Sequence, residues 1–205
     1  MNASDSTMVK TVGVLALQGA FQAHSRVLTE LGARAHEVRT PGDLALVDAL
    51  VMPGGESTTM ARLLGTAELF GPVQCRLAEG MPVFGTCAGM ILLAAHVLDG
   101  RPDQRSFSVI DISVRRNGYG RQVDSFERDI EVEGFDNSYH AVFIRAPKVE
   151  SVGPGVTVLA SHEGVPVLAQ QGCVLVAAFH PELTDDHRLH AMFLRIVHTA
   201  TATAA

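Results

Sequence analysis

The first half of the chain alternates short apolar runs with longer runs whose apolar residues recur at helical spacing. Thr11–Leu17 is one strand-like run, and the helical stretch after it ends at Gly32, a residue suited to a helix C-cap. The last such pair ends in a helical stretch over Ala88–Val97. The other predicted strands of this half are Ala33–Val38, Ala49–Met52 and Pro82–Thr86. This alternation predicts a mostly parallel sheet covered by helices on both faces.

After Gly100 the strand-like runs follow one another directly, separated by Gly, Pro and Asn, which favours antiparallel hairpins added to the sheet. The five runs are Ser108–Val114, Ala141–Arg145, Val156–Ala160, Val165–Gln170 and Val174–Phe179. A final helix is predicted over about Asp186–His198, with acids in its first turn. The 205 residues, without repeat or linker, predict a single domain over 1–205, with mobile ends at 1–9 and 199–205.

Charge and cysteine usage exclude several function classes. The net charge is −6 and no lysine or arginine run could neutralise a line of phosphates, so nucleic acid is not an expected partner. The cysteines, at 75, 87 and 173, lack CxxC spacing, so neither a disulfide framework nor a metal site is expected. With no signal peptide and no apolar membrane span, we expect a cytoplasmic protein.

The segment Gly85-Thr86-Cys87-Ala88-Gly89 lies where an apolar strand must turn into a helix. Glycines two residues to either side allow a sharp turn, so that the Cys87 side chain projects from it as in a nucleophile elbow. The start of a helix also favours the reactive thiolate. Taken alone, the motif describes a small buried cysteine in a turn equally well, so its context must decide.

That context is the segment Phe179-His180-Pro181-Glu182, which follows the last apolar strand. The carboxyl ends of parallel strands are where open sheets place their sites. One residue separates His180 from Glu182, so the carboxylate can orient the imidazole, and the two with Cys87 form a candidate catalytic triad. The alternative is a surface histidine; His162, His187, His190 and His198 have no comparable setting.

A third loop, Pro53–Thr59, follows the predicted strand Ala49–Met52 and has two consecutive glycines. Such a loop exposes backbone N-H groups that can receive an anionic oxygen. The N-H groups of Gly55 and Ala88 would together form an oxyanion hole. Without Cys87, a simple Gly-Gly turn would be the preferred interpretation.

In chain order, the Pro53-Gly54-Gly55 loop, the Gly85–Gly89 elbow and the later His180-Pro181-Glu182 segment resemble the pattern of the class I, triad-type glutamine amidotransferases. The chain is more similar still, from about Val12 to Val197, to the glutaminase subunits of pyridoxal 5'-phosphate synthase. The segments that carry this resemblance are LALQGAFQAH, PGGESTTM, FGTCAGMILLA, RNGYGRQVDSFE, VFIRAP and FHPELTDDHR.

The resemblance implies a three-layer flavodoxin-like fold and the hydrolysis of L-glutamine to glutamate and ammonia through a thioester. It implies no metal and no cofactor, and a hetero-oligomer in which a synthase subunit receives the ammonia. Gln18 is implied to settle the oxyanion loop when that partner docks. The implied glutamine contacts are Gly55, Glu56, Ser57, Arg116, Ile144 and Arg145. Either Arg116 or Arg145 could hold the α-carboxylate, because arginine binds carboxylates directionally.

Two rival functions stay open at this point. A stand-alone cysteine hydrolase or peptidase on a related fold could use the same elbow and histidine. A non-catalytic regulatory subunit could keep the fold without activity, although intact Cys87, His180 and Glu182 argue against it.

Overall fold

A seven-stranded sheet forms the centre of the structure, a computed structural model that describes residues 9–101, 104–116, 118 and 125–203. Its strands are β1 (Thr11–Leu15), β2 (Arg34–Val38), β3 (Ala49–Met52), β4 (Val83–Thr86), β10 (Thr157–His162), β11 (Val165–Gln171) and β12 (Val174–Ala177). Two small sheets contain β5 (Ala94–Val97), β6 (Ile110–Arg115), β7 (Ser125–Ile130), β8 (Tyr139–Ile144) and β9 (Lys148–Val152). The helices are α1 (Phe21–Glu30), α2 (Pro41–Leu44), α3 (Ser57–Thr66), α4 (Phe70–Ala78), α5 (Ala88–Leu93) and α6 (Arg188–Thr203).

The strand order β10-β11-β12-β4-β3-β1-β2 explains how the helices cover the sheet. Strands β2, β1, β3, β4 and β12 are parallel neighbours, which is the flavodoxin-like order. The chain moves from β1 to β2 in one direction and from β3 to β4 in the other. Because such crossovers are right-handed, α1 lies on the opposite face from α3 and α4. The predicted mostly parallel α/β fold with added antiparallel strands is confirmed.

The central strands are buried throughout, as expected for parallel strands covered on both faces. Neighbouring parallel strands also end at the same edge of the sheet. The loops that follow β1, β3, β4 and β12 therefore meet there, and they carry Gln18, Gly55, Cys87 and His180. The topology alone brings four separate sequence motifs together.

Two predicted features of the middle of the chain were wrong. The helix expected over Ala88–Val97 ends at Leu93, because Ala94–Val97 pairs with β6 as a strand. The predicted runs near Ser108 and Ala141 do not join the main sheet either: β6 pairs with β5 and β9, and β8 pairs with β7. The predicted hairpin addition holds for β10 and β11, which extend the sheet antiparallel to β12.

The last helix begins and ends later than its periodicity predicts. It begins at Arg188, and the first turn has no acid. Instead, Asp186 precedes the helix and its carboxylate accepts a hydrogen bond from the Arg188 backbone N-H at 3.1 Å. The helix continues through Thr203, past the expected limit at His198, while residues 1–8 and 204–205 of the expected mobile ends lie outside the described residues. Within the described part of the chain, no helix is long and apolar enough to span a membrane.

Candidate active site

The turn between β4 and α5 holds Cys87 in an unusual backbone conformation, with φ 49° and ψ −103°. Left-handed φ values cost energy for a residue with a Cβ, and they persist where the surrounding fold enforces them. Here the backbone N-H of Cys87 donates to the Ala177 carbonyl of β12 at 2.8 Å. A Cβ on Gly89 would lie 2.1 Å from the Met52 carbonyl oxygen, so only glycine lets α5 approach β3 this closely. The predicted sharp turn is present.

The His180 ring joins Cys87 to Glu182. Its Nδ1 lies 2.8 Å from Glu182 Oε1, and Cys87 is a further hydrogen-bond partner of the ring, which leaves Nε2 for the sulfur. Burial is the largest single influence and lowers the pKa of His180. The hydrogen bonds and charges of Cys87 and Glu182 together outweigh burial and raise this pKa to about 10. The three side chains predicted as a triad are thus in contact in the order the chemistry requires.

Glu182 lies behind His180, in the protein interior. Its side chain is fully buried, and the pKa of its carboxyl is lowered although burial, the largest influence, raises it. The hydrogen bond from His180 is the main cause of the lowering, and the charge of His180 acts in the same direction. The carboxylate is therefore held in its charged form.

Two buried histidines lie behind Glu182: the sequence analysis assigned His24 no role and set His190 aside as lacking a catalytic setting. His24 of α1 and His190 of α6 are both fully buried. His24 Nε2 lies 3.4 Å from Glu182 Oε2 and 3.3 Å from Thr86 Oγ1, while His24 Nδ1 lies 2.9 Å from His190 Nε2. A histidine on the apolar face of each of two amphipathic helices was the available signal, but it does not reveal that the two meet.

The loop after β3 approaches both the histidine and the turn after β1. Gly55 has φ 154°, and a Cβ on Gly54 would lie 2.3 Å from His180 Cε1. Gln18 Nε2 donates to the Glu56 carbonyl oxygen at 2.6 Å, and a Cβ on Gly19 would lie 1.9 Å from the Gly54 carbonyl oxygen. The two loops are therefore in contact, and a displacement of one would displace the other.

A cleft of about 260 Å³ opens above Cys87 and His180. This volume lies just below the range of roughly 300–1,000 Å³ for drug-sized ligands, which suits a molecule of amino-acid size. Every predicted glutamine contact lines this cleft: Gly55, Glu56, Ser57, Arg116, Ile144 and Arg145. Ala88 does not line it, but as the first residue of α5 it has an N-H for which the helix offers no acceptor.

Glu56 has a structural role that the sequence did not predict. Its carboxylate caps α3 by accepting hydrogen bonds from the Thr58 and Thr59 backbone N-H groups, at 3.0 and 2.7 Å. Burial raises the pKa of this carboxyl, but these hydrogen bonds, with that of the Thr59 hydroxyl, outweigh burial and lower the pKa to about 2. A glutamine ligand would therefore meet a fixed anion.

The two arginines of the cleft differ in how firmly they are held. Arg116 Nη1 donates to Thr58 Oγ1 at 2.7 Å and to Gln104 Oε1 at 3.3 Å, and lies 4.0 Å from Glu56 Oε1. Arg145 follows β8, is exposed and has φ 46°. Arg116 is thus fixed before a ligand binds.

As for metal ions, no group of three or more His, Cys, Asp or Glu side chains in the described ranges is arranged to hold one.

Comparison with known proteins gives consistent matches over almost the whole chain. The profile of the SNO glutamine amidotransferase family matches residues 14–199. The subunit PdxT of pyridoxal 5'-phosphate synthase from Mycobacteroides abscessus is 55% identical over 190 residues, which are 93% of this chain and 98% of that protein. PdxT from Salinispora arenicola is 54% identical, covering 92% of this chain and 97% of that protein.

Solved structures agree with the sequence relatives. A crystal structure of a glutamine amidotransferase superposes with a TM-score of 0.85 at 50% identity, covering 91% of this chain and 98% of that chain. A glutamine amidotransferase from Thermotoga maritima has a TM-score of 0.59 at 13% identity, covering 94% of this chain and 96% of that chain, which is a likeness of fold alone.

Proposed function

Because this chain belongs to the SNO glutamine amidotransferase family, we propose that it hydrolyses L-glutamine to L-glutamate and ammonia at the cleft above Cys87. The observation that carries the proposal is the placement of Cys87 and His180 in the wall of a cleft of amino-acid size, with Glu182 behind His180. Its curated relatives are named as subunits of pyridoxal 5'-phosphate synthase. The ammonia is accordingly passed to a synthase subunit for vitamin B6 synthesis.

In the proposed mechanism, the Cys87 sulfur attacks the side-chain carboxamide of glutamine. Protonated His180 gives a proton to the departing ammonia, and a thioester remains on Cys87. Neutral His180 then activates water, which releases glutamate. Glu182 accepts a hydrogen bond from His180 Nδ1, so it fixes the tautomer that presents Nε2 to the sulfur and stabilises the charged ring.

The backbone N-H groups of Gly55 and Ala88 are the proposed donors to the oxyanion of the tetrahedral intermediate. The Ala88 N-H is available at the start of α5, whereas that of Gly55 depends on the conformation of a Gly-Gly peptide. We propose that docking of the synthase subunit changes the conformation of this peptide through Gln18, whose side chain donates a 2.6 Å hydrogen bond to the Glu56 carbonyl oxygen.

The remaining cleft residues are proposed to bind the amino-acid end of glutamine. Arg116 or Arg145 pairs with the α-carboxylate, and Glu56, held as an anion, pairs with the α-ammonium. Ser57 and Ile144 line the same cleft and complete its wall. The single domain and the cytoplasmic location expected from the sequence stay predictions.

The direct test replaces each cysteine separately and measures ammonia release from glutamine in the presence of the synthase subunit. Cys87→Ala should abolish turnover, because it removes the nucleophile while little packing is lost at a turn. Cys75→Ala and Cys173→Ala, at exposed and half-buried positions, should remain active. An electrophilic glutamine analogue should label Cys87 alone. Ammonia release by Cys87→Ala within a few-fold of the unmodified chain would contradict the assignment.

A further inference from the structure

The interior side of the candidate triad contains a chain of polar contacts that the proposed mechanism does not use. It runs from Glu182 through His24 to His190, and all three side chains are fully buried. Thr86, the residue before Cys87, is also fully buried and its hydroxyl lies 3.3 Å from His24 Nε2. Buried polar groups of this kind are stable only when their hydrogen bonds are satisfied, so their arrangement constrains where the protons lie.

Both histidines are expected to be neutral at pH 7. Burial is the main cause that lowers the pKa of His24, and His180 acts in the same direction while Glu182 opposes it. Burial likewise lowers the pKa of His190, helped by His24 and His187. A neutral histidine has one N-H donor and one bare nitrogen acceptor. Each ring therefore has two possible tautomers.

One combination of tautomers fits the contact with Glu182 best. With the proton on Nε2 of both rings, His190 donates to His24 Nδ1 and His24 donates towards Glu182 Oε2. His190 Nδ1, which has no hydrogen-bond partner among the described residues, is then a bare acceptor. The reverse combination would turn the lone pair of His24 Nε2 towards a carboxylate oxygen and would bury an N-H of His190 Nδ1 without an acceptor.

The two oxygens of Glu182 thus face different partners. Oε1 accepts from His180 Nδ1 at 2.8 Å, and Oε2 lies 3.4 Å from His24 Nε2, a contact too poorly aligned to count as a full hydrogen bond. The His24 ring is itself fixed by His190 at 2.9 Å, whose ring packs edge-on against Phe84. The buried ring of His24 thus stands beside Oε2 and restricts rotation of the carboxylate away from the catalytic ring.

We propose that His24 and His190 are positioning residues for the triad, which hold Glu182 through a directed chain of N-H groups so that Oε1 stays on His180. This inference rests on the proposed function. Its effect is on the transition state, in which His180 is charged, and glutamine does not touch either residue. The expected signature is therefore a loss in kcat at nearly constant KM.

The kinetic test measures glutamine hydrolysis by the full chain in complex with the synthase subunit. His24→Leu, which removes the N-H that faces Oε2, should lower kcat by about 3- to 10-fold, because this contact is weaker than a full hydrogen bond to a charged group. His24→Gln should recover most of that loss, because the glutamine amide nitrogen can take the place of Nε2. The midpoint of thermal unfolding is measured for each variant. Loss of kcat in both variants alike, or in neither, would overturn the proposal.

The second test does not depend on how the variants fold. Nitrogen-15 NMR of the histidine rings of the unmodified chain reports which nitrogen carries each proton, and both His24 and His190 should be protonated at Nε2 alone. A proton on Nδ1 of either ring would overturn the proposal. Cys87→Ala in the kinetic series separates the two ideas: if it stays active the proposed function fails, whereas if it is inactive and His24→Leu is unimpaired, only the positioning role fails.

Discussion

At the scale of single residues, Glu182 offers the sharpest kinetic prediction, because it is proposed to orient His180 and not to exchange protons. Glu182→Gln should lower kcat by about 10³- to 10⁴-fold, by analogy with other triads in which the third residue loses its charge and the wrong tautomer results. KM should change far less. Steady-state glutamine hydrolysis with the synthase subunit measures both constants.

A matched control is Glu163→Gln, the same change at a side chain that is 83% exposed, which should leave both constants unaltered. If Glu182→Gln raised KM and kept kcat, the carboxylate would be a substrate contact, and the triad would need another third member.

The pKa of His180, raised to about 10, also predicts how stability depends on pH. A histidine whose pKa is higher in the folded state stabilises the fold fully below its unfolded pKa of about 6.5, and this contribution is lost as the pH rises through the folded value. The difference in unfolding free energy between the unmodified chain and His180→Gln should therefore shrink from about pH 6 to about pH 10. Urea unfolding across this range measures it, and a constant difference would contradict the raised pKa.

At the scale of elements, the β4–α5 turn depends on glycine where α5 crosses β3. A Cβ on Gly89 would lie 2.1 Å from the Met52 carbonyl oxygen, so Gly89→Ala must push the helix away from the strand. We expect a loss of about 1–3 kcal/mol in unfolding free energy, as for other overpacked sites, together with lower activity, because Cys87 moves with the helix.

The control for this prediction is Gly65→Ala in α3, where an added Cβ meets nothing within 4 Å. It should be neutral or stabilising by up to about 1 kcal/mol, since alanine favours the helix. Urea denaturation of the two variants compares them directly. If Gly89→Ala had the same unfolding free energy as Gly65→Ala, the close approach of α5 to β3 would not require glycine.

At the scale of the whole molecule, we expect the isolated chain to be a poor glutaminase that becomes active when the synthase subunit docks. The Gly54-Gly55 peptide can change orientation, and a missing oxyanion donor costs about 10²- to 10³-fold in kcat. Docking against the Gln18 turn would restore the donor. Glutamine hydrolysis by the purified chain, with and without excess synthase subunit, tests this expectation, and equal rates at saturating glutamine would refute it.

A matched pair of variants assigns the activation to the turn. Gln18→Ala removes the 2.6 Å hydrogen bond to Glu56 and should reduce the stimulation by the synthase subunit. Gln22→Ala, at an exposed position in α1 four residues further along the chain, should leave the stimulation intact. If the synthase subunit stimulated both variants equally, its effect on activity would not depend on Gln18.

The local sequence was sufficient for the elements that depend on near neighbours. The parallel strands are short apolar runs between turns, so Ala49–Met52 could be placed from its own residues. Cys87 and His180 could be identified because each follows such a strand, and parallel strands end at one edge of the sheet. The fold class followed from the alternation of strands and helices, whereas the glutamine contacts were expected from the resemblance to glutamine amidotransferases.

Only the tertiary structure decided the rest, because long-range pairing leaves no local signal. Ala94–Val97 directly follows a helical stretch in the sequence, but it forms a strand because its backbone pairs with β6. The charged strand β7 is fixed by its pairing with β8. His24 and His190 are 166 residues apart, and each alone is a histidine on the apolar face of a helix. The sheet brings their helices together on one face, and that contact places the neutral ring of His24 against Glu182, with His190 behind it.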